Sequence, residues 1–371
     1  MGARTRGIAN NILSDGLDAT DGLSGALSSS NITNASVTNV TSTPSIGGGF
    51  EKLASDPPAP TEGDIWYNTT SNTVKGYVDS ITPGAWASGG SMGTSRYGGI
   101  EAGSGSTSGL AAGGSNPGSL RNITNSEEYD GTSWTEGNNM NTGRGRIAGT
   151  GTQTAAVGCG GYLNPSPHSS STEEYDGTNW TTVTGFPIGQ QYMGALGTQT
   201  AALFIGGQGP VGPYISTTTE YNGSSYTSGG AYPTGVRFVA GIGQETSALA
   251  AGGEFSPGIT DQVNTYDGSA WTSGTNLPGV RRLAGSSGSS SSDGVIYGGI
   301  DGPSVTGTTV SWDGTSWTAE GSLSTARQDG QSTPQGSSST ALYAGGNSPS
   351  TVATTEEFTG STTGVQIKTL G

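Results

Sequence analysis

The chain holds a single cysteine, Cys159, and a single histidine, His168, in 371 residues. No internal disulfide can form, so the fold stands on packing alone. His and Cys from one chain cannot assemble a zinc or copper set, which excludes the chemistry such centres support. A Ser–His–Asp triad would rest on His168 alone, and no nucleophile motif surrounds any serine. Lysine is scarce (Lys52, Lys75, Lys368), charged residues make up 11 %, and the net charge is −15. Such an acidic surface repels phosphate backbones and anionic lipid, which disfavours nucleic-acid and membrane-surface roles. No stretch approaches the roughly 18 apolar residues of a membrane-spanning helix. The N-terminal "MGARTRGIANNILSDGLDATDG" has no apolar core resembling a signal peptide, so a soluble protein without a Sec-type signal is expected.

What is abundant is glycine, at 68 residues, beside 17 Pro, 14 Tyr and 7 Trp. Many turns and many large aromatics point to an all-β chain of short strands. The phrase "TEEYDGTNWT" (172–181) recurs. Its aromatic falls at Tyr129, Tyr175, Tyr221, Tyr266, Trp312 and Phe358, at spacings of 46, 46, 45, 46 and 46. An apolar run ending in Gly-Gly keeps step, at 113–114, 160–161, 206–207, 252–253, 298–299 and 345–346. Two markers in lockstep over six copies define a repeat.

Each copy reads as four strands. The first follows an Arg-bearing stretch such as "RIAGTG" (146–151), and the second is the apolar run into Gly-Gly. The third is "TEEYD"; the fourth starts at Trp134, Trp180, Tyr226, Trp271 or Trp317. Asp-Gly between the last two suits a tight hairpin turn. One four-stranded unit cannot bury both faces, so copies pack side by side, and radial closure protects their edges. Met92, Met140, Phe186, Tyr232, Leu277 and Leu323 each fall six residues after a strand-four aromatic, as fillers between copies. The sixth copy has Thr363 where a Trp is expected. A strand headed by Trp86, or "GVQIKTL" (364–370), completes it; a seventh unit built from 64–88 is the third option.

Gly-Gly after an apolar run, then an aromatic, then a Trp, at a period near 46, resembles the kelch repeat of β-propellers over about residues 86–367. The resemblance implies a six-bladed kelch-like propeller of four-stranded blades, expected over 86–371. It also implies that the glycines end strand two where blades crowd the axis, and that the aromatic and Trp pack between blades.

Residues 1–60 lack the period. "GLSGALSSSNITNASVTNVTSTP" has too few apolar positions to bury a core alone, and reads as an extended or oligomer-dependent attachment segment. "DPPAP" (56–60) reads as a stiff linker. Residues 61–85 form a hairpin module, with "TEGDIWYNTTSNTVKGYV" giving two β-prone runs around Thr-Ser-Asn. The start "TRGIANNILSDGLDATDG" and the "GDIWYN" hairpin resemble the N-terminal part of tail-fibre and other virion structural proteins of marine bacteriophages. This implies an attachment segment, an outward-facing domain and a homo-oligomer, with a trimer expected.

Paired carboxylates are the remaining catalytic option, because glycoside hydrolysis needs only two. The candidates Glu127, Glu128, Glu173, Glu174, Glu356 and Glu357 all lie in the repeated phrase. Most copies also carry an Arg before strand one: Arg96, Arg144 or Arg146, Arg237, Arg281 or Arg282, and Arg327. Arg and Glu at matching depth read as a structural ion pair rather than a catalytic set. "SWDGTSWT" (311–318) resembles the Asp-box of sialidase propellers with its spacing one residue short; that box is a turn element. Cys159, inside "AVGCGG", reads as a small buried side chain. No metal centre and no resident cofactor are expected. Asp and Asn crowd the turns, which leaves calcium open, though no EF-hand or RTX spacing occurs.

A phrase fixed in every copy is scaffold, so function belongs where the copies differ. The connections from strand two to strand three are the longest and each contains proline, which lowers the ordering cost of binding. They carry unmatched Arg121, Tyr162, His168, Tyr214 and Phe255. The expected role is adhesion. The chain reads as a virion structural protein, a tail fibre or tail-associated part, that binds a host-surface glycan or receptor through these loops. Residues 1–60 would join other virion proteins, with no membrane insertion, no nucleic-acid partner and no catalysis. Two alternatives stay open: a purely structural head-decoration or tail-tube component, and a glycan-cleaving enzyme.

Overall fold

The computed structural model describes residues 51–116, 121–163 and 168–370. Every regular element among them is a β-strand. They divide into two compact units: residues up to Thr82 together with the segment from Thr362, and Pro83–Ser361.

The first unit is a sheet ordered Glu51–Leu53, Ile65–Asn68, Thr73–Thr82, Thr362–Leu370. The hairpin turns where the Asn68 carboxamide oxygen accepts the N–H groups of Thr70 and Ser71, both at 3.0 Å. Trp66 is fully buried, and its indole donates to Asp56 at 3.2 Å. Asp56 also accepts from Asn68 (2.9 Å) and Lys75 (2.8 Å). The "DPPAP" stretch expected as a linker therefore begins inside a folded sheet, anchored by its aspartate. Thr362–Leu370 runs antiparallel to Thr73–Thr82. The C-terminal strand thus belongs to the first unit, and Glu51–Leu53 joins the same sheet by pairing parallel with Trp66–Asn68. Residues 1–50 of the expected attachment segment lie outside the described residues.

The second unit holds, among the described residues, six four-stranded antiparallel sheets. Sheet I comprises Ile100–Gly103, Gly109–Ala112, Ser126–Tyr129 and Trp134–Glu136. Sheet II is Ala148–Thr152, Ala155–Cys159, Thr172–Tyr175 and Trp180–Val183; sheet III is Gly194–Thr198, Ala201–Ile205, Thr218–Tyr221 and Tyr226–Ser228. Sheet IV is Ala240–Gln244, Ser247–Ala251, Val263–Tyr266 and Trp271–Ser273; sheet V is Gly285–Ser290, Asp293–Tyr297, Thr309–Trp312 and Trp317–Glu320. Sheet VI takes Gln331–Ser332, Thr340–Ala344 and Thr355–Thr359 from the chain's end and Ala85–Gly89 from its start. Phe358 pairs with Trp86 as Tyr129 pairs with Trp134, so the N-terminal strand supplies the aromatic missing at Thr363. First strands of consecutive sheets stand side by side from I to VI, and that of VI lies beside that of I. The arrangement is propeller-like.

The repeated phrase builds the joints. In each sheet the strand-three aromatic meets the strand-four aromatic across the ladder, with ring centroids 4.5–5.1 Å apart from Tyr221–Tyr226 to Trp86–Phe358. The strand-four polar tip then reaches the preceding sheet. Trp180 donates to Ser126, Trp271 to Thr218, Trp86 to Thr309 and Trp134 to Thr355, each at 2.8 Å, and Tyr226 bonds Thr172 at 2.7 Å. Val263 occupies this hydroxyl position in sheet IV, and Trp317 donates instead to the Thr275 carbonyl. The strand-three tyrosines do the same to the second glutamate of the preceding phrase. Tyr221 reaches Glu174 and Tyr266 reaches Glu220, both at 2.8 Å; Tyr175 donates to Glu128 and Tyr129 to Glu357. Removing the hydroxyl with Tyr175→Phe is expected to cost about 1–2 kcal/mol in chemical denaturation, because Glu128 loses its partner at a joint between sheets.

The fillers Met92, Met140, Phe186, Tyr232, Leu277 and Leu323 are buried in the core. At the Gly-Gly pairs both residues take left-handed φ, and a Cβ on Gly206 would sit 2.2 Å from the Val236 carbonyl oxygen. The turn between strands three and four is wider than the tight Asp-Gly hairpin expected. Tyr129 pairs with Trp134, leaving four residues in the loop, and among Asp130 and Gly131 only the glycine takes positive φ. The Asp130 carboxylate accepts the Thr132 hydroxyl at 2.7 Å and the N–H groups of Ser133 and Thr132, both at 2.8 Å, which together hold its pKa down at about 2.

Candidate functional site

The repeated carboxylates of the phrase are consumed by structure. Glu127 pairs with Arg96 at 2.6 Å, Glu173 with Arg144 at 3.1 Å, and Glu356 with Arg327, all out of solvent. The same carboxylates cap loop backbone: Glu127 accepts from Gly93 (2.6 Å) and Glu173 from Asn141 (2.7 Å). The arginines reach carbonyls flanking the connection between strands two and three, as Arg144 does to Gly160 (2.5 Å) and Ser171 (2.7 Å). Where the acid is absent the Arg pattern shifts. Gln190 and Thr219 stand at the matching positions of the third copy and Val236 and Asn264 at those of the fourth, while Arg281 bonds the Thr308 carbonyl at 3.0 Å.

The other arginines named with the pair, Arg146, Arg237 and Arg282, have a different place. Two residues after the Arg96 position each copy carries one residue in left-handed backbone. These are Gly98, Arg146, Tyr192, Phe238, Leu283 and Asp329, with φ of 61°, 59°, 62°, 60°, 54° and 57°. Their amides form a chain: Asp329 to Leu283 (3.0 Å), Leu283 to Phe238 (3.3 Å), Phe238 to Tyr192 (3.0 Å), Tyr192 to Arg146 (3.4 Å). Ile147 donates to Gly98 (3.2 Å) and Gly98 to Asp329 (3.0 Å), so the series returns to its start. Left-handed backbone costs a non-glycine residue roughly 1 kcal/mol or more, and the mutual hydrogen bonds hold it here.

Side chains on and beside this ring form one half-buried cluster. Tyr192 and Phe238 meet edge-on at 4.2 Å. The Arg146 guanidinium lies 4.7 Å from the Tyr192 ring and 5.2 Å from Tyr162. Arg237 lies over Phe238 (4.9 Å) and Tyr214 (5.1 Å), and Arg282 over Phe238 (5.6 Å). Glu254 accepts from Arg237 (2.7 Å), from Arg282 and from the Tyr214 hydroxyl (3.0 Å).

Behind the ring runs a bore. At the position three residues on from Gly98, five copies carry Gly149, Ala195, Gly241, Ser286 and Ser332, and the first carries Glu101. A cavity of about 50 Å³ is lined by Glu101, Gly149, Ala195, Gly241 and Ser286 among others. Glu101 accepts from the Ser332 hydroxyl. Burial in the narrow bore pushes its carboxyl up to about 7, with the Asp329 charge adding to the effect. Burial likewise lifts Asp329 to about 7, against the pull of Arg146. Both side chains are half-buried.

Of the residues expected to bind, Tyr162 and Tyr214 join the cluster. Phe255 is half-buried next to Glu254, in the short ladder Glu254–Phe255 with Gly258–Ile259. His168 is half-buried away from these contacts, its Nδ1 without a partner among the described residues. Arg121 is placed only by backbone pairing with Asn116. The cluster residues missed in sequence are Tyr192, Phe238, Glu254, Asp329 and Glu101. The signal lies in the sequence, since the ring position differs in every copy, but it falls on the segment before strand one rather than in the long loops.

Among the described residues no group of three or more His, Cys, Asp or Glu could hold a metal ion, and the phrase aspartates spend their oxygens on their own turns. No helix among them is long and apolar enough to cross a membrane. Searches against protein-family models and against curated proteins returned no match.

Proposed function

We propose that this chain is a bacteriophage virion structural protein, a tail fibre or tail-associated adhesin. In this reading a closed six-bladed kelch-like propeller presents its ring-bearing face to a host-surface glycan or receptor. Residues 1–60 join other virion proteins, and the assembly is a homotrimer. The resemblances of the repeat and of the N-terminal segment support the family and the setting. Bonds from Trp134 and Tyr129 of sheet I to Thr355 and Glu357 of sheet VI support closure, because they repeat the joints found between other neighbours. The observation that carries the binding role is the ring: five non-glycine residues held in left-handed backbone, supporting arginines and aromatic faces where the copies differ. Aromatic and Arg side chains on a rigid frame are the usual anchors of a recognition surface.

The test is competition: purified protein added to host cells should bind them and reduce phage adsorption. Protein that neither binds nor competes sinks the adhesion reading in favour of an architectural part. Glycan cleavage is favoured by one observation, the two carboxyls near neutrality at Glu101 and Asp329. Reducing ends released from host polysaccharide, and abolished by Glu101→Gln, would establish it.

A further inference from the structure

We infer that the ring mouth recognises an acidic saccharide, its carboxylate held by Arg146 and its sugar face lying on the adjoining aromatic rings. This inference rests on the adhesion reading above and names its ligand class.

The chain carries 28 acidic and 13 basic residues, yet Arg146, Arg237 and Arg282 gather at the mouth. Arg96, Arg144 and Arg327 are neutralised by their own glutamates, and Arg237 and Arg282 share Glu254. Arg146 differs. Among the described residues it forms no ion pair, and its one hydrogen bond goes to the Gln191 side chain at 3.3 Å. A guanidinium carries five N–H donors in a planar fork that matches a carboxylate, and most of those of Arg146 have no protein acceptor among the described residues. The fork lies between the rings of Tyr162 and Tyr192, with Phe238 and Tyr214 further round.

Three arginines against Glu254 leave the mouth net positive, and the burial that lifts Asp329 weakens the opposing charge near neutral pH. On so acidic a protein such an island selects anions. Flat aromatic faces suit the apolar face of a pyranose. Together these features favour a uronate- or sialate-type sugar over a neutral one.

The decisive variant is supplied by the repeat itself. Gly98 occupies the ring position in the first copy, so Arg146→Gly places a residue already accommodated there and relieves the left-handed backbone. Its melting temperature should stay within about 5 °C of the parent. Immobilised glucuronate, galacturonate, mannuronate and sialate oligosaccharides would be offered to the full chain beside neutral oligosaccharides of equal length. The expected result is binding to at least one acidic sugar roughly tenfold or more above its neutral counterpart, weakened by added salt. Arg146→Gly should lose roughly tenfold or more of that affinity, and Arg146→Lys, which keeps charge without the fork, should fall between. Equal binding of neutral sugars, or full binding by folded Arg146→Gly, overturns the inference. No binding across the panel by protein that still competes with phage adsorption overturns it while leaving adhesion intact. Failure in both assays removes both readings.

Discussion

Glu173→Ala lowers unfolding free energy by about 3–5 kcal/mol, measured by urea titration near neutral pH. The loss is large because Arg144 is wholly buried and, among the described residues, pairs with no other carboxylate. Asn141 also loses the acceptor for its amide. Desolvating an unpaired guanidinium costs more than the pair itself contributes, so the single change is far worse than removing both partners. Sheet III shows what the site looks like without the pair, with Gln190 and Thr219 at the matching positions, both buried. Arg144→Gln combined with Glu173→Thr is therefore expected to recover at least half of the single-variant loss. A double variant as unstable as Glu173→Ala would mean that the arginine's bonds to the Gly160 and Ser171 carbonyls outweigh the charge pairing.

The second large effect is on pH. Glu101 and Asp329 have folded pKa values of about 7, above their ordinary values of 4.5 and 3.8. A carboxyl with a raised folded pKa binds its proton more tightly in the native state. The native state is thus favoured at low pH and loses stability as pH rises from the ordinary value to about 7. Above that the loss is complete. Each group contributes a decline on the order of 2 kcal/mol once water in the bore is allowed for. Glu101→Gln should remove its share: more stable than the parent at pH 8 by about 2 kcal/mol, and no more stable at pH 4. Thermal melts at both pH values read this directly. A parent protein whose stability is flat from pH 4 to 8 would mean that the bore is wet enough to solvate both carboxylates.

Much of the second unit was legible in sequence because its defining contacts repeat. Tyr129, Tyr175, Tyr221 and Tyr266 recur on one period, and each finds the same kind of partner one copy earlier. The scaffold role of Glu127, Glu173 and Glu356 followed from that regularity, as did the idea that function lies where copies differ. The turn width did not, because Asp-Gly is compatible with both a two-residue and a four-residue loop. Of the loop residues singled out, Tyr162 and Tyr214 reach the cluster because their loops pair back onto the segments leading to strand one, as in the bridge between Tyr162 and Gly145.

The amino-acid sequence by itself determined the strand class and the period, since both reside in local residue order and composition. Tertiary structure alone decided which strand completes sheet VI, because Trp86 and "GVQIKTL" are equally competent to pair. It sent Thr362–Leu370 to the other unit, where Thr73–Thr82 offers a partner of matching length. It also brought Arg146, Tyr192, Phe238 and Asp329, spread over nearly two hundred residues, into one ring. Residues so far apart become neighbours only when the sheets stand side by side, and no local pattern records that meeting.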